Sequence, residues 1–304
     1  MASHDTLDKL GLGGPYRAAV SGCAGLVVAI PALERPFLRM SRALWHAPVA
    51  GRVCRSVAYR FADRLRETGN VYRDIDVGGI RLHVDATHWM FSGQFLANVE
   101  YEPDTTRFIR EALRPGMVFV DVGANNGLFS LLAAHYVGAA GRVFAFEPNP
   151  PVFAALKQHV DLNQLSDRIR VFDFALSDRA TDTARLHVWA EHSGFSSLDV
   201  ASAPGAEHLA GGSSVTIRTE TFDDWFAREG TGVETIDLLK MDVEGFEGQV
   251  VAGMAKTLAA RRIARLIVET QWDSAAHRQL VNYGYRAERL ESVGAVINII
   301  YSRA

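Results

Sequence analysis

The chain has 304 residues, 48% hydrophobic and 22% charged, which allows a sizeable core and excludes a disordered or fibrous chain. Its formal net charge of -3 gives no bulk attraction to nucleic acid. Cys23 and Cys54 make no disulfide framework and no Cys/His group has zinc spacing, so a reduced cytoplasmic setting is expected.

Residues 1–70 read as a helical N-terminal extension. Ala18 to Leu33 is strongly apolar, but Gly22, Gly25 and Pro31 interrupt it and it is too short for a membrane span. No basic start or cleavage site accompanies it, so it does not read as a signal peptide. Arg35, Arg39, Arg42, Arg52, Arg55, Arg60, Arg64 and Arg66 come next, interleaved with Phe37, Leu38, Leu44, Trp45, Val53 and Val57. A basic amphipathic stretch of this kind either lies on a membrane surface, peripherally at the inner face, or packs as a lid or homodimer contact.

Residues 71–100 read as a β-hairpin connector. Tyr72 to Asp85 alternates around Gly78-Gly79, the signature of a two-residue turn. From residue 101 to 304 the pattern is that of one large α/β domain. Glu100 to Arg114 carries an amphipathic helix that Asp104 or Thr105 is placed to cap, and Pro115-Gly116 stops it.

Val118 to Gly127 organises this domain. Val-Phe-Val-Asp-Val is a buried strand, Gly-Ala-Asn-Asn-Gly a loop, and Leu128 to Val137 a helix. Strand, glycine loop and helix form the first unit of a doubly wound nucleotide-binding sheet, with glycine letting backbone approach a ligand and helix amides facing it. A dinucleotide fingerprint needs Gly-x-Gly-x-x-Gly, and its middle glycine is Asn125 here. An acid at the strand end, Asp121, followed by Gly-x-x-x-Gly suits a ligand with an amino-acid end and no pyrophosphate, such as S-adenosylmethionine. The next strand, Arg142 to Phe146, ends in Glu147, where a carboxylate can accept from both ribose hydroxyls.

Pro150 to Asn163 is the second helix of the core, with proline at its start. Ile169 to Phe174 is the third strand, whose end offers the Phe174 ring to an adenine and Asp173 to its exocyclic amine. Arg185 to Ala190 and Val215 to Glu220 both alternate and read as an inserted hairpin, joined by a long connection through Ser193 to Ser214. Thr221 caps a helix running to Arg228. Ile236 to Val243 is the fourth strand, and alternation sets Lys240, Asp242 and Glu244 on one side of it. A helix from Gly248 to Ala260 leads to the fifth strand, Ile263 to Val268, which ends in Glu269. A helix from Ser274 to Asn282 precedes a closing antiparallel pair, Arg286 to Leu290 and Ala295 to Ile300.

Across roughly Glu100 to Glu269 the chain resembles the FkbM-type methyltransferases. The likeness rests on Tyr101-Glu-Pro103, Phe119-Val-Asp-Val-Gly-Ala-Asn-Asn-Gly127, Ala145-Phe-Glu-Pro-Asn149, Ala175-Leu-Ser-Asp178, Ser196-Ser-Leu198 and Leu238-Leu-Lys-Met-Asp-Val-Glu-Gly-Phe-Glu247. Asn126 stands where that family more often has a small aliphatic residue. The resemblance implies a Rossmann-like class I methyltransferase sheet using S-adenosylmethionine, with a hydroxyl of a sugar, glycolipid, polyketide or other secondary metabolite as acceptor.

Methyl transfer to a hydroxyl needs alignment and a proton acceptor. Asp121, Gly123, Asn125 and Gly127 are expected to hold the methionine end, with Tyr101 or Glu102 closing over it. Glu147 and Pro148 are expected at the ribose, and Asp173, Phe174 and Ala175 at the adenine. Lys240, Asp242, Glu244 and His192 are the candidate catalytic groups, since a buried lysine can fall toward neutrality and a histidine titrates in range. A magnesium version joins Asp242 and Glu269, with Glu244 or Gln271, as oxygen ligands. Two other classes compete: a methyltransferase acting on a macromolecular or lipid-linked acceptor at a membrane surface, and a non-catalytic S-adenosylmethionine-binding protein. A nucleic-acid substrate is not expected, since a basic recognition module is lacking.

Overall fold

The computed structural model describes residues 13–48, 50–188, 196–198, 213–293 and 296–303. The chain divides into two compact units, Met1–Tyr101 and Glu102–Ala304.

The first unit holds α1 (Gly13–Ala29), a 3-10 turn at Pro31–Leu33, α2 (Glu34–Leu44) and α3 (Ala50–Thr68). Phe37 and Leu38 of α2 meet Cys54, Phe61 and Leu65 of α3 in its core. β1 (Tyr72–Val77) and β2 (Ile80–Asp85) pair antiparallel across Gly78-Gly79, both with positive φ, as the sequence predicts. α4 (Trp89–Ala97) is a helix that the hairpin-connector reading missed. No side-chain cap announces its start, and it ends on Asn98 in the left-handed conformation (φ 58°).

The second unit opens with α5 (Pro103–Ala112). Neither Asp104 nor Thr105 caps it: Glu102 is the N-cap residue, held at φ 42°, and its side chain turns to Asn298 instead. The Glu102 carboxylate accepts from Asn298 Nδ2 at 3.0 Å, a buried tie across the fold.

The main sheet is seven-stranded. β3 (Val118–Val122), β4 (Arg142–Phe146), β5 (Ile169–Phe172), β10 (Leu238–Met241) and β11 (Arg265–Thr270) are parallel. β12 (Tyr285–Val293) and β13 (Val296–Arg303) close one edge antiparallel, in the order β12-β13-β11-β10-β3-β4-β5. The order reverses between β3 and β10, so the carboxyl ends of those two neighbours flank the switch point where such sheets bind ligands. The central strands are buried on both faces, which explains their unbroken apolar runs. α6 (Leu128–Val137) and α7 (Pro150–Leu162) link β3 to β4 and β4 to β5.

The third strand of the core is shorter than its sequence suggests. β5 stops at Phe172, and β6 (Ala175–Ser177) joins a separate four-stranded sheet with β7 (Thr181–Val188), β8 (Ser196–Ser197) and β9 (Ser213–Thr221), in the order β6-β9-β7-β8. β7 and β9 are the inserted antiparallel pair that alternation predicts. Thr221 Oγ1 accepts from the Asp224 amide and caps α8 (Phe222–Glu229), also as predicted.

The expected helix from Gly248 to Ala260 is broken into α9 (Glu247–Ala252) and α10 (Ala255–Ala259). A Cβ on Gly253, at the break, would lie 2.0 Å from the Ser177 carbonyl oxygen. Asp223 then caps α10 from outside, accepting from the amides of Lys256 at 2.8 Å and Thr257 at 2.9 Å. α11 (Ala275–Asn282) is capped by Ser274.

Candidate active site

The cleft over the carboxyl ends of β3, β4 and β10 is lined by Gly123, Asn125, Glu147, Pro148, Asp242 and Glu244, among others. Ala175, Leu176 and Leu186 of the inserted sheet, with Leu198, add an apolar wall.

The loop after β3 is built by its neighbours. Gly123 has φ 80°, and a Cβ there would sit 1.9 Å from the Asp242 carbonyl oxygen. That glycine is therefore required by the close approach of the loop after β10, a partner the sequence reading did not identify. Gly127, at φ 86°, would drive its Cβ to 2.4 Å from Leu156 Cδ1 of α7. Asn125 takes the left-handed conformation between them (φ 50°), a place that asparagine tolerates better than most residues. His159, fully buried on α7, places Nδ1 2.8 Å from the Asn126 carbonyl and pins the loop from behind. His159 and Leu156 act on the loop from some thirty residues along the chain, and no local signal in the sequence pointed to them.

Glu147 is 7% exposed. Its Oε2 accepts from the Asn125 amide at 3.0 Å and its Oε1 from the Asn149 amide at 2.9 Å. Burial pushes its carboxyl up to about 7, against the pull of those amides and with help from the charges of Asp121 and Asp242. Phe146, just before it, is stacked on Phe172 at 4.9 Å and meets Trp225 edge-on at 4.8 Å. Aromatic pairs of this kind contribute about 0.5–1.5 kcal/mol each beyond area burial, and these fix the strand end that carries Glu147.

Asp121 is 1% exposed; Ser130 Oγ of α6 donates to its Oδ2 at 2.6 Å, and its Oδ1 has no hydrogen-bond partner among the described residues. A buried carboxylate oxygen without a donor is costly, and marks a place where a ligand donor is wanted. Burial raises its pKa, opposed by Lys240 and Ser130.

Lys240 pairs in register with Asp121 across β10 and β3. Its Nζ lies 3.4 Å from Asp242 Oδ2 and 4.8 Å from the centre of the Phe129 ring. Burial alone would pull its pKa down, but the charges of Asp242, Glu102, Asp121 and Glu269 outweigh burial and raise it. The expectation of a lysine drifting to neutrality is thus overturned: Lys240 is a locked ammonium, unable to take a proton. Carboxylate oxygens of Glu102, Asp242 and Glu269 all come within 4.8 Å of one another. Repulsion from Asp242, together with burial, raises the pKa of Glu269; burial and Asp242 do the same for Glu244, whose backbone is left-handed (φ 52°).

The adenine expectations fail in part. Phe174 is 1% exposed and packs into the aromatic core against Phe146 and Phe172, with the Arg218 guanidinium 4.6 Å from its ring centre. Asp173 is largely exposed and pairs with Arg218 at 3.7 Å. Neither lines the cleft, because β5 ends before them and the chain turns into the second sheet. Of that trio Ala175 alone reaches the cleft. Tyr101 ends the first unit and Glu102 begins the second. His192 lies outside the described residues.

The profile described as a methyltransferase FkbM domain matches residues 121–287. Among curated relatives, the 2-O-methyltransferase NoeI of Sinorhizobium fredii is 29% identical over 157 residues, covering 49% of this chain and 62% of the relative. Hexuronic acid methyltransferase AglP of Haloferax volcanii is 29% identical over 157 residues, covering 52% and 58%. The 31-O-demethyl-FK506 methyltransferase FkbM of Streptomyces tacrolimicus is 32% identical over 166 residues, covering 47% and 61%. The chain thus spans about six tenths of the length of these relatives. A solved structure titled methyltransferase FkbM from Methylobacillus flagellatus is similar at 15% identity over 85% of this chain and 60% of that one, with a TM-score of 0.41.

Proposed function

Since the chain belongs to the FkbM methyltransferase family, we propose that it is an S-adenosylmethionine-dependent O-methyltransferase acting on a hydroxyl of a small molecule of the sugar or polyketide kind. The observation that carries this reading is the pairing of two buried acids at adjacent strand ends. Glu147 is braced by two amides, and Asp121 has one oxygen still without a donor. Relatives named for hexuronic acid and for 31-O-demethyl-FK506 support the acceptor class.

S-adenosylmethionine fits the residues present. Asp121 would take the ammonium of the methionine end through its orphaned oxygen, and Glu147 the ribose hydroxyls. Asn125 and Pro148 would line the path between, and Ala175, Leu176 and Leu186 would cover the adenine. When bound, the cofactor supplies a methyl group on a sulfonium; the chain supplies alignment and proton handling.

The acceptor hydroxyl must lose a proton as it attacks. Asp242, in the cleft wall, is the carboxylate placed to receive that proton, and the Lys240 ammonium 3.4 Å away orients it. Glu244 stands beside it with its pKa raised by burial and by Asp242, and is suited to donating a hydrogen bond to the acceptor. In a second version, Asp242 and Glu269, whose oxygens lie within 4.8 Å of one another and of Glu102, would hold a magnesium ion, which would lower the pKa of the hydroxyl. The Lys240 ammonium, 3.4 Å from Asp242, already supplies positive charge there, and we favour the metal-free version.

Calorimetric titration with S-adenosylhomocysteine, with magnesium and with EDTA, tests the reading. Binding that is indifferent to EDTA is expected, followed by turnover on hydroxylated sugars or polyketides. No binding under either condition would remove the cofactor assignment. Turnover abolished by EDTA and restored by magnesium would replace the Lys240 version with the metal one.

A further inference from the structure

The N-terminal unit carries a feature that methyl transfer does not use. From Ala18 to Leu33 there is no charged side chain. The structure folds this stretch into an elbow, with Tyr16–Ala29 and Pro31–Leu44 bent by 108°. α1 buries Ala24 and Val27 on its inner side. Its outward side is apolar as well: Ala19, Cys23, Leu26 and Ile30 recur at helical spacing and are exposed or half-buried, with Leu26 at 53% and Ile30 at 42% exposure. Pro31 and Ala32, at the tip, are exposed too. Among the described residues no single helix is long and apolar enough to cross a membrane.

The helix that leaves the elbow is different in kind. α2 exposes Met40, at 49%, beside Arg35 and Arg39. Among the described residues no carboxylate pairs with Arg35 or Arg39. The stretch from Glu34 to Val57 holds Arg35, Arg39, Arg42, Arg52 and Arg55 against the single acid Glu34. That acid is already engaged, since both its oxygens accept from Arg73, at 2.7 and 2.8 Å. The unit is therefore basic around its exposed apolar elbow, although the whole chain has a formal charge of -3.

An apolar helix face left in water is unfavourable in proportion to its area, and patches of this kind mark interaction sites. The surrounding charge selects the occupant. A second copy docking by the same face would bring these arginines against one another, and like charges repel. A bilayer with anionic headgroups satisfies both halves: the acyl boundary takes Leu26, Ile30 and Met40, and the phosphates take Arg35 and Arg39. We propose that the elbow formed by α1 and α2 seats in the surface of an anionic lipid bilayer, holding the protein there peripherally. This deepens the membrane-surface reading of the N-terminal arginines and does not depend on the methyl-transfer reading.

The test is co-sedimentation of the full chain with phosphatidylcholine vesicles, with and without phosphatidylglycerol. Sedimentation is expected with the anionic vesicles, falling as salt is raised. Arg35→Gln with Arg39→Gln should weaken partitioning by about 30-fold, from roughly a fivefold share per arginine. Leu26→Asp with Ile30→Asp should abolish it; both side chains are exposed, so the fold is spared. S-adenosylhomocysteine binding, measured in the same variants, should be unchanged and keeps failure of this proposal separate from failure of the cofactor reading. No sedimentation with either vesicle would overturn the proposal. So would a dimer in light scattering that the Leu26 and Ile30 substitutions dissolve, which would assign the face to a second copy.

Discussion

Glu147 offers the sharpest check on the site. If its carboxylate receives the ribose hydroxyls, the ligand binds the ionised form better, and binding releases a proton. Burial has pushed this carboxyl up to about 7 from an ordinary 4.5. By linkage, the folded chain holds this proton more tightly than the unfolded one, so the stability that Glu147 contributes is full below about 4.5 and is lost as pH rises to about 7, about 3 kcal/mol in all. The ligand draws on the ionised form across the same window. A group titrating at about 7 is ionised in about one molecule in ten at pH ~6 and nine in ten at pH ~8, so the apparent affinity for S-adenosylhomocysteine should rise about tenfold, roughly 1.4 kcal/mol. Calorimetry at several pH values, in buffers of different ionisation enthalpy, counts the released proton directly. Glu147→Gln should bind more weakly and lose that tenfold rise. Equal slopes in the wild type and Glu147→Gln, or no proton released near neutrality, would refute the assignment.

Three further outcomes are expected. Lys240→Met removes the buried counter-charge from the Asp242, Glu102 and Glu269 cluster, and should destabilise the chain by about 3–5 kcal/mol; burial and repulsion from Asp242 push Glu244 and Glu269 up to about 9, so thermal melts should show the loss growing as pH rises through about 9 and these groups ionise. Gly127→Ala combines a left-handed φ, worth about 1–2 kcal/mol, with the contact against Leu156. Adding Leu156→Ala relieves the contact but not the φ, so chemical denaturation should find the double variant less damaged than the sum of the two singles. Asp242→Ala should retain S-adenosylhomocysteine binding in calorimetry and lose turnover, whereas Asp121→Ala should lose at least tenfold in binding, about 1.4 kcal/mol; the reverse pattern would exchange their roles.

Much of this protein is legible without coordinates where the signal is local. The strand, glycine loop and helix at Val118 to Val137 form at the residues that their periodicity marks, as do β4 and the Thr221 cap. The acid at the tip of β4 is visible because a strand of known length puts its next residue at the sheet's edge. These features depend on residues within a few positions of one another, and short-range sterics and hydrogen bonding settle them.

Tertiary structure decided whatever depends on which distant groups meet. Lys240 reads as a base when only its burial is considered. Four carboxylates drawn from different elements make it a permanent cation. Phe174 and Asp173 read as an adenine shelf until β5 ends at Phe172 and the chain crosses to the second sheet, which sends the ring into the core and the acid to Arg218. Gly123 reads as room for a ligand, yet the atom it makes room for is the Asp242 carbonyl, over a hundred residues away. A sequence shows which groups are present and how each is disposed along its own element. Charge, burial and steric demand at the site arise from pairs that the fold alone brings within a few ångströms.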